Sequence, residues 1–141
     1  YRQLVDDHIE VKPGAYQLLA CLEKMQIPRA VATSSSGEKA RAILERVGLW
    51  QYIPHLTGGD EVKAGKPAPD VYLDSAQKLG VDAPRCIAFE DSETGIKAAL
   101  AAGMRVIQVP DLIAAERAPA PPAYYHASSL VDGAALLGID L

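Results

Sequence analysis

The sequence predicts a doubly wound α/β fold, in which helices pack on both faces of a parallel sheet. Short apolar runs alternate with helical patterns long enough to cross between parallel strands. Glycine or proline stands at most of the junctions, where such helices end. In this architecture ligands bind at the carboxyl ends of the strands, so those positions are the first candidates for a site.

The first part of the chain predicts two helices on either side of a buried strand. Apolar residues recur at helical spacing over 15–25, and the apolar run 30–32 follows as a strand. Ser35, with Glu38 three residues later, has the spacing of a capping box and predicts the start of a second helix. That helix is expected to end at Gly48.

A connection over 53–69 is rich in glycine and proline, and no strand is predicted in it. The rest of the chain continues the alternation of helices and strands. In order, the pattern predicts a helix ending at Gly80, a strand over 85–89, a helix over 92–102, a strand over 104–109, a surface connection over 118–123, an edge strand over 124–126 and a closing helix over 128–137.

Composition narrows the classes of function. A chain of 141 residues with 49% hydrophobic and 23% charged residues is typical of one globular domain. The net charge of −4, without a basic stripe, argues against a nucleic-acid partner. No apolar run is long enough for a membrane helix, and Cys21 and Cys86 lie in apolar patterns typical of core residues. We therefore expect a cytoplasmic protein with no membrane partner.

The first strand is followed by Thr33, Ser34, Ser35 and Ser36, which open the second helix. Hydroxyls and backbone N–H groups at a helix N-terminus favour anions, so this segment is a candidate phosphate cradle. Helix capping alone would explain the serines equally well. Both roles fit together if Ser35 caps the helix while Thr33 and Ser34 face a ligand.

Lys66 stands between Gly65 and the Pro-Ala-Pro segment that precedes Asp70. A flexible residue before the lysine and a stiff one after it restrict where the ammonium can point. Lys66 is therefore a candidate for neutralising phosphate charge, although most lysines are simply solvated. Asp70 is expected only to support the start of the next helix.

Two adjacent carboxylates, Glu90 and Asp91, end a predicted buried strand. Charge at such a place is costly unless it is paired or coordinates a metal, and hard oxygen ligands suit Mg²⁺. The alternative is that Asp91 or Ser92 caps the following helix while Glu90 meets solvent.

Common alternative motifs are absent. Gly65-Lys66 is followed by proline, and Asp60 stands where a P-loop needs its first glycine. The sequence has no G-x-G-x-x-G, and neither cysteine has an arginine six residues later, as a cysteine phosphatase would. The three histidines are isolated and are expected to be structural or exposed; they are His8, His55 and His126.

Three motifs occur in a characteristic order between residues 12 and 110. They are Val-Ala-Thr33-Ser34-Ser35, Gly65-Lys66-Pro-Ala-Pro-Asp70, and Phe-Glu90-Asp91-Ser-x-x-Gly95 with Ala-Ala-Gly103. In this combination the chain resembles the haloacid dehalogenase superfamily of phosphohydrolases, in particular its β-phosphoglucomutase-like and sugar-phosphatase branch.

The resemblance implies a Rossmann-like core and a role for each candidate residue. Thr33 would donate its hydroxyl, and Ser34 its backbone N–H, to the transferring phosphoryl group. Lys66 would hold the phosphate and the nucleophile together. Glu90 and Asp91 would position Mg²⁺, which offsets negative charge as the phosphoryl group moves.

The resemblance also implies an N-terminal strand ending in Asp-x-Asp, which supplies the nucleophile and a general acid/base. No two aspartates two residues apart occur in this sequence. Residues 1–11 resemble the end of a helical cap domain, with a short helical pattern up to the Lys12-Pro13-Gly14 junction. We therefore expect a cap remnant over 1–11 and an incomplete core over 12–141 that lacks its first strand.

The leading hypothesis is a Mg²⁺-dependent phosphatase of a small sugar or polyol phosphate, inactive as this chain alone. A β-phosphoglucomutase-type isomerase is a related alternative, and a dehalogenase is a weaker one. The second hypothesis, from a different class, is a non-catalytic domain that binds phosphate or metal, or that self-associates because a missing strand exposes apolar surface and unpaired backbone.

Overall fold

In the computed structural model, which describes residues 14–109 and 124–139, helices and parallel strands alternate along the chain. The helices are α1 (Ala15–Lys24), α2 (Gly37–Arg46), α3 (Asp70–Leu79), α4 (Glu93–Ala101) and α5 (Leu130–Leu136). The strands are β1 (Ala30–Ala32), β2 (His55–Thr57), β3 (Ile87–Glu90), β4 (Arg105–Gln108) and β5 (Tyr124–His126).

Every strand pair in the described residues is parallel. β1 pairs with β2, and β3, β4 and β5 form a second group in that order. In the second group Glu90 lies opposite Gln108, and Gln108 opposite His126. The parallel α/β prediction is confirmed, including the edge strand over 124–126. The ends of β1 and β3 are the strand ends from which the candidate motifs continue.

Helices cover both faces of the strands. One core cluster joins α3 and α4 to β3 and β4 through residues such as Val71, Ile96 and Val106. A smaller cluster on α1 and α5 contains Leu18 and Ala134, and Phe89 of β3 packs against it. Because β3 contributes side chains to both clusters, its two faces are both covered, as a doubly wound sheet requires.

Two local predictions are wrong. The connection over 53–69 contains β2, whose three residues are too few to give an apolar run; Thr57 is nevertheless fully buried. The residue that caps α2 is Ser36, whose hydroxyl accepts from the Lys39 N–H at 3.2 Å, and Ser35 lies one position before this cap.

Other boundaries agree closely with the sequence patterns. Ser92 caps α4, and its hydroxyl accepts from the Gly95 N–H at 3.1 Å. α3 ends at Gly80, which has a φ of 70°, a conformation that glycine adopts without strain. The cap remnant over 1–11 and the connection over 118–123 lie outside the described residues. No described helix has the length and hydropathy of a membrane span.

Close packing of α5 on the sheet depends on Gly133. A β-carbon at this position would lie 2.7 Å from Cε2 of Phe89 and 3.2 Å from Cγ2 of Ile107. We expect Gly133→Ala to lower the free energy of unfolding by about 1 kcal/mol, because overpacking outweighs the helix propensity of alanine. Urea unfolding measures the change. Gly65→Ala, where a β-carbon meets nothing within 4 Å, is the matched control and should lose no stability. Equal stabilisation of both variants would contradict the packing argument.

Candidate active site

The predicted site residues converge on one cleft at the carboxyl ends of β1 and β3. Its volume is about 270 Å³. The lining residues are Ala32, Thr33, Ser34, Lys66, Phe89, Glu90, Asp91, Val109 and Leu130. Three motifs that are far apart in the sequence therefore contribute to the same space, as the parallel topology predicts.

The loop after β1 presents a hydroxyl and a backbone N–H to the cleft. The Ser35 N–H donates to Oγ1 of Thr33 at 3.1 Å, which fixes the hydroxyl oxygen as an acceptor. The hydroxyl proton of Thr33 is then available for a ligand oxygen. Within the described residues the Ser34 N–H donates to no acceptor, and Ser34 lines the cleft next to Thr33.

The N-terminus of α2 is less open to an anion than the sequence suggested. Its first N–H, from Gly37, donates to Oδ1 of Asp60 at 3.0 Å, and the Lys39 N–H donates to Ser36. These donors are already satisfied by the protein. Of the residues in this loop, Thr33 and Ser34 line the cleft, so their hydroxyl and N–H are the candidate donors to an anion.

Lys66 and Glu90 form a buried ion pair across the cleft. Nζ of Lys66 lies 2.6 Å from Oε2 of Glu90, and their side chains are 10% and 7% exposed. The ammonium also donates to the Ala32 carbonyl at 3.4 Å. Since an ammonium carries three protons, these two acceptors leave one proton for a ligand oxygen.

Tyr72 and Gly95 hold Glu90 in place, and the sequence patterns identified neither as a site residue. The Tyr72 hydroxyl donates to Oε2 of Glu90, and its ring centroid lies 5.1 Å from Nζ of Lys66. Burial, followed by the charge of Glu90, raises the pKa of Tyr72, so that the phenol remains a donor. A β-carbon on Gly95 would lie 2.1 Å from Cδ of Glu90.

Asp91 lines the cleft next to this ion pair. Among the described residues no three histidine, cysteine or acidic side chains are grouped as a complete metal site. Mg²⁺ needs no such group, because it usually binds one or two carboxylates and completes its shell with water and substrate phosphate. A cleft that combines Asp91 with the candidate phosphate cradle at Thr33 and Ser34 fits that ion.

Asp70 contacts the connection that precedes α3 rather than the cleft. It lies in the first turn of α3, and its Oδ2 accepts from the Ala64 N–H at 3.3 Å. It is not among the residues that line the cleft. Asp70 therefore supports the connection that carries Lys66.

A family model described as "haloacid dehalogenase-like hydrolase" matches residues 1–103. Two relatives from Escherichia coli are similar in sequence. Fructose-1-phosphate phosphatase is 45% identical over 82 residues, which are 58% of this chain and 44% of that protein. Hexitol phosphatase A is 44% identical over 101 residues, which are 72% of this chain and 46% of that protein.

A solved structure is also similar. It is CbbY from Rhodobacter sphaeroides in complex with xylulose-(1,5)bisphosphate, at 31% identity and a TM-score of 0.82. The match covers 97% of this chain and 62% of that one. The chain thus spans about half the length of the curated phosphatases that it matches.

The burial of the ion pair between Lys66 and Glu90 leads to a prediction about stability. Lys66→Met leaves Glu90 as an unpaired buried charge, so we expect it to lower the free energy of unfolding by about 3 kcal/mol. Lys97→Met is the matched control, because Lys97 pairs with Glu93 while both side chains are more than half exposed. The control should lose less than about 0.5 kcal/mol. Urea unfolding of both variants measures these changes. Equal small losses of unfolding free energy would contradict the burial argument.

Proposed function

The chain belongs to the haloacid dehalogenase-like hydrolases, and from this premise we propose that its parent protein is a Mg²⁺-dependent phosphohydrolase of small sugar or polyol phosphates. The observation that carries the proposal is the meeting of Thr33, Ser34, Lys66 and Asp91 at one cleft. Donors for phosphate oxygens and a carboxylate for a cation are the parts that phosphoryl transfer needs from a protein.

In this proposal the phosphoryl group is held by three donors of fixed position. Thr33 donates through its hydroxyl, Ser34 through its backbone N–H, and Lys66 through the ammonium proton that faces the cleft. Because Lys66 is anchored by Glu90 and by the Ala32 carbonyl, its charge needs little rearrangement as the reaction proceeds. Such preorganisation is the usual source of electrostatic stabilisation in enzymes.

Mg²⁺ would be held by Asp91, with Glu90 beside it. Bound there, the ion would supply charge neutralisation for the phosphoryl oxygens. The carboxylate of Glu90 is engaged by Lys66 and Tyr72, so we assign it mainly to orienting the lysine. Asp91 is the principal ligand in this assignment.

The nucleophile in this proposal is an aspartate outside this sequence, since the sequence has no Asp-x-Asp. Within the described residues β1 pairs only with β2, and β3 pairs only with β4. We propose that a further parallel strand lies between β1 and β3 and ends beside Lys66. Its first aspartate attacks phosphorus, and the substrate alcohol leaves with a proton from the second. Water then hydrolyses the aspartyl phosphate and returns that proton.

The substrate class is inferred from the names of two similar proteins. The proteins named fructose-1-phosphate phosphatase and hexitol phosphatase A share more than two fifths of their matched residues with this chain. We therefore propose a phosphorylated sugar or polyol as the substrate of the parent protein.

The first test uses the full gene product that contains this sequence. We expect release of inorganic phosphate from members of a panel of hexose and hexitol phosphates in the presence of Mg²⁺, and loss of that release with EDTA. Thr33→Ala should lower kcat/KM at least about tenfold, because it removes a donor to the phosphoryl group. Thr94→Ala, at an exposed position of α4 that does not line the cleft, is the matched control. Isomerisation of the sugar phosphate without phosphate release would overturn the hydrolase assignment in favour of a mutase.

The second test uses the 141-residue chain alone, with p-nitrophenyl phosphate and Mg²⁺. We expect no hydrolysis above the uncatalysed rate, because the nucleophile is not in the sequence. Turnover that Thr33→Ala abolishes would show that the chain supplies its own nucleophile, and would contradict this part of the proposal.

A further inference from the structure

The loop that follows β2 lies directly against the loop that would bind phosphate. The Thr33 N–H donates to the Thr57 carbonyl at 3.0 Å, and the Gly59 N–H donates to the Ser35 carbonyl at 2.8 Å. A β-carbon on Gly59 would lie 2.4 Å from the Ser34 carbonyl oxygen. The two backbones are therefore in contact, and the shape of one depends on the other.

Asp60 makes the side-chain connection between these loops. Its Oδ1 accepts from the Gly37 N–H at 3.0 Å, immediately after the segment 33–36. A β-carbon on Gly58 would lie 2.3 Å from the same Gly37 nitrogen, so the two segments leave no room for a side chain there. Asp60 itself does not line the cleft.

The far side of this loop is anchored to α3. Oε2 of Glu61 accepts from the Gly58 N–H at 2.7 Å, and Oε1 lies 2.8 Å from Nζ of Lys78. The Gly58 N–H, together with Lys78, lowers the pKa of Glu61. The Thr57 hydroxyl donates to Asp74 at 2.8 Å. The loop is thus fixed on its far side by a helix, none of whose residues lines the cleft.

We propose that Asp60 is a positioning residue, which holds the Thr33–Ser36 segment in its phosphate-binding shape from outside the cleft. This inference rests on the proposed function, because that function makes phosphate the ligand of this segment. It assigns a use to the hydrogen bond that the Gly37 N–H donates to Asp60: that bond fixes the start of α2, and through it the direction of the Ser34 N–H.

Electrostatics and positioning predict opposite results when Asp60 is replaced. Removal of a carboxylate near an anion site should tighten phosphate binding if charge alone matters. Removal of a hydrogen-bond acceptor that shapes the site should weaken it. Asp60→Asn removes the charge and keeps an oxygen acceptor, whereas Asp60→Ala removes both.

The experiment titrates inorganic phosphate into the 141-residue chain in MgCl₂ and follows the backbone amides of residues 33–37 by NMR. We expect Asp60→Ala to raise the Kd about fivefold, which corresponds to about 1 kcal/mol, while Asp60→Asn binds at least as tightly as the unaltered chain. Asp82→Ala, an exposed aspartate elsewhere, is the control and should leave the Kd unchanged. An unchanged or lower Kd in Asp60→Ala overturns the proposal.

Hydrogen exchange of the same amides without phosphate separates this inference from the proposed function. We expect the Gly37 and Gly59 amides to exchange at least about fivefold faster in Asp60→Ala, relative to Val106 in β4, and to return to the original rate in Asp60→Asn. If the unaltered chain binds no phosphate, the binding role of the cradle fails. The exchange rates then test only whether Asp60 positions the loop. Unchanged exchange rates in Asp60→Ala would overturn that positioning role.

Discussion

The carboxylate of Glu90 is buried at the end of β3, where an unpaired charge would cost several kcal/mol. The ion pair with Lys66 offsets that cost. The same contact, together with the Ala32 carbonyl, fixes the ammonium between the ends of β1 and β3. Tyr72 supplies a second donor, and the absence of a side chain at Gly95 provides the space. The position of the lysine in the cleft is thus a consequence of satisfying one buried charge.

The other half of the cleft depends on contact between backbones rather than on charge. Because β1 and β2 are parallel neighbours, the loops that follow them leave the sheet side by side. Gly58 and Gly59 let those loops approach until their peptide groups exchange hydrogen bonds. A rigid lysine on one side and a rigid loop on the other make a cleft whose donors are set before any ligand arrives.

Much of the fold could be predicted because periodicity and glycine positions are local signals. β2 could not, since three residues with polar ends do not form a pattern. Three consecutive serines are equally suited to cap the helix, so the sequence does not identify the cap. The structure identifies it as Ser36. The sequence left open whether Glu90 is buried or meets solvent, and it did not identify the partners of this carboxylate. In the sequence Tyr72 is only one apolar residue of the helix that ends at Gly80, and its contact with Glu90 joins residues 18 positions apart.

The charges around the cleft have a thermodynamic consequence. Among its described lining residues are one cation, Lys66, and two carboxylates, Glu90 and Asp91. A phosphate that enters the cleft brings further negative charge next to these two carboxylates, which repel it. A cation at Asp91 would remove that repulsion. By linkage, the phosphate would then raise the affinity for the cation by the same factor, so that the two bind cooperatively.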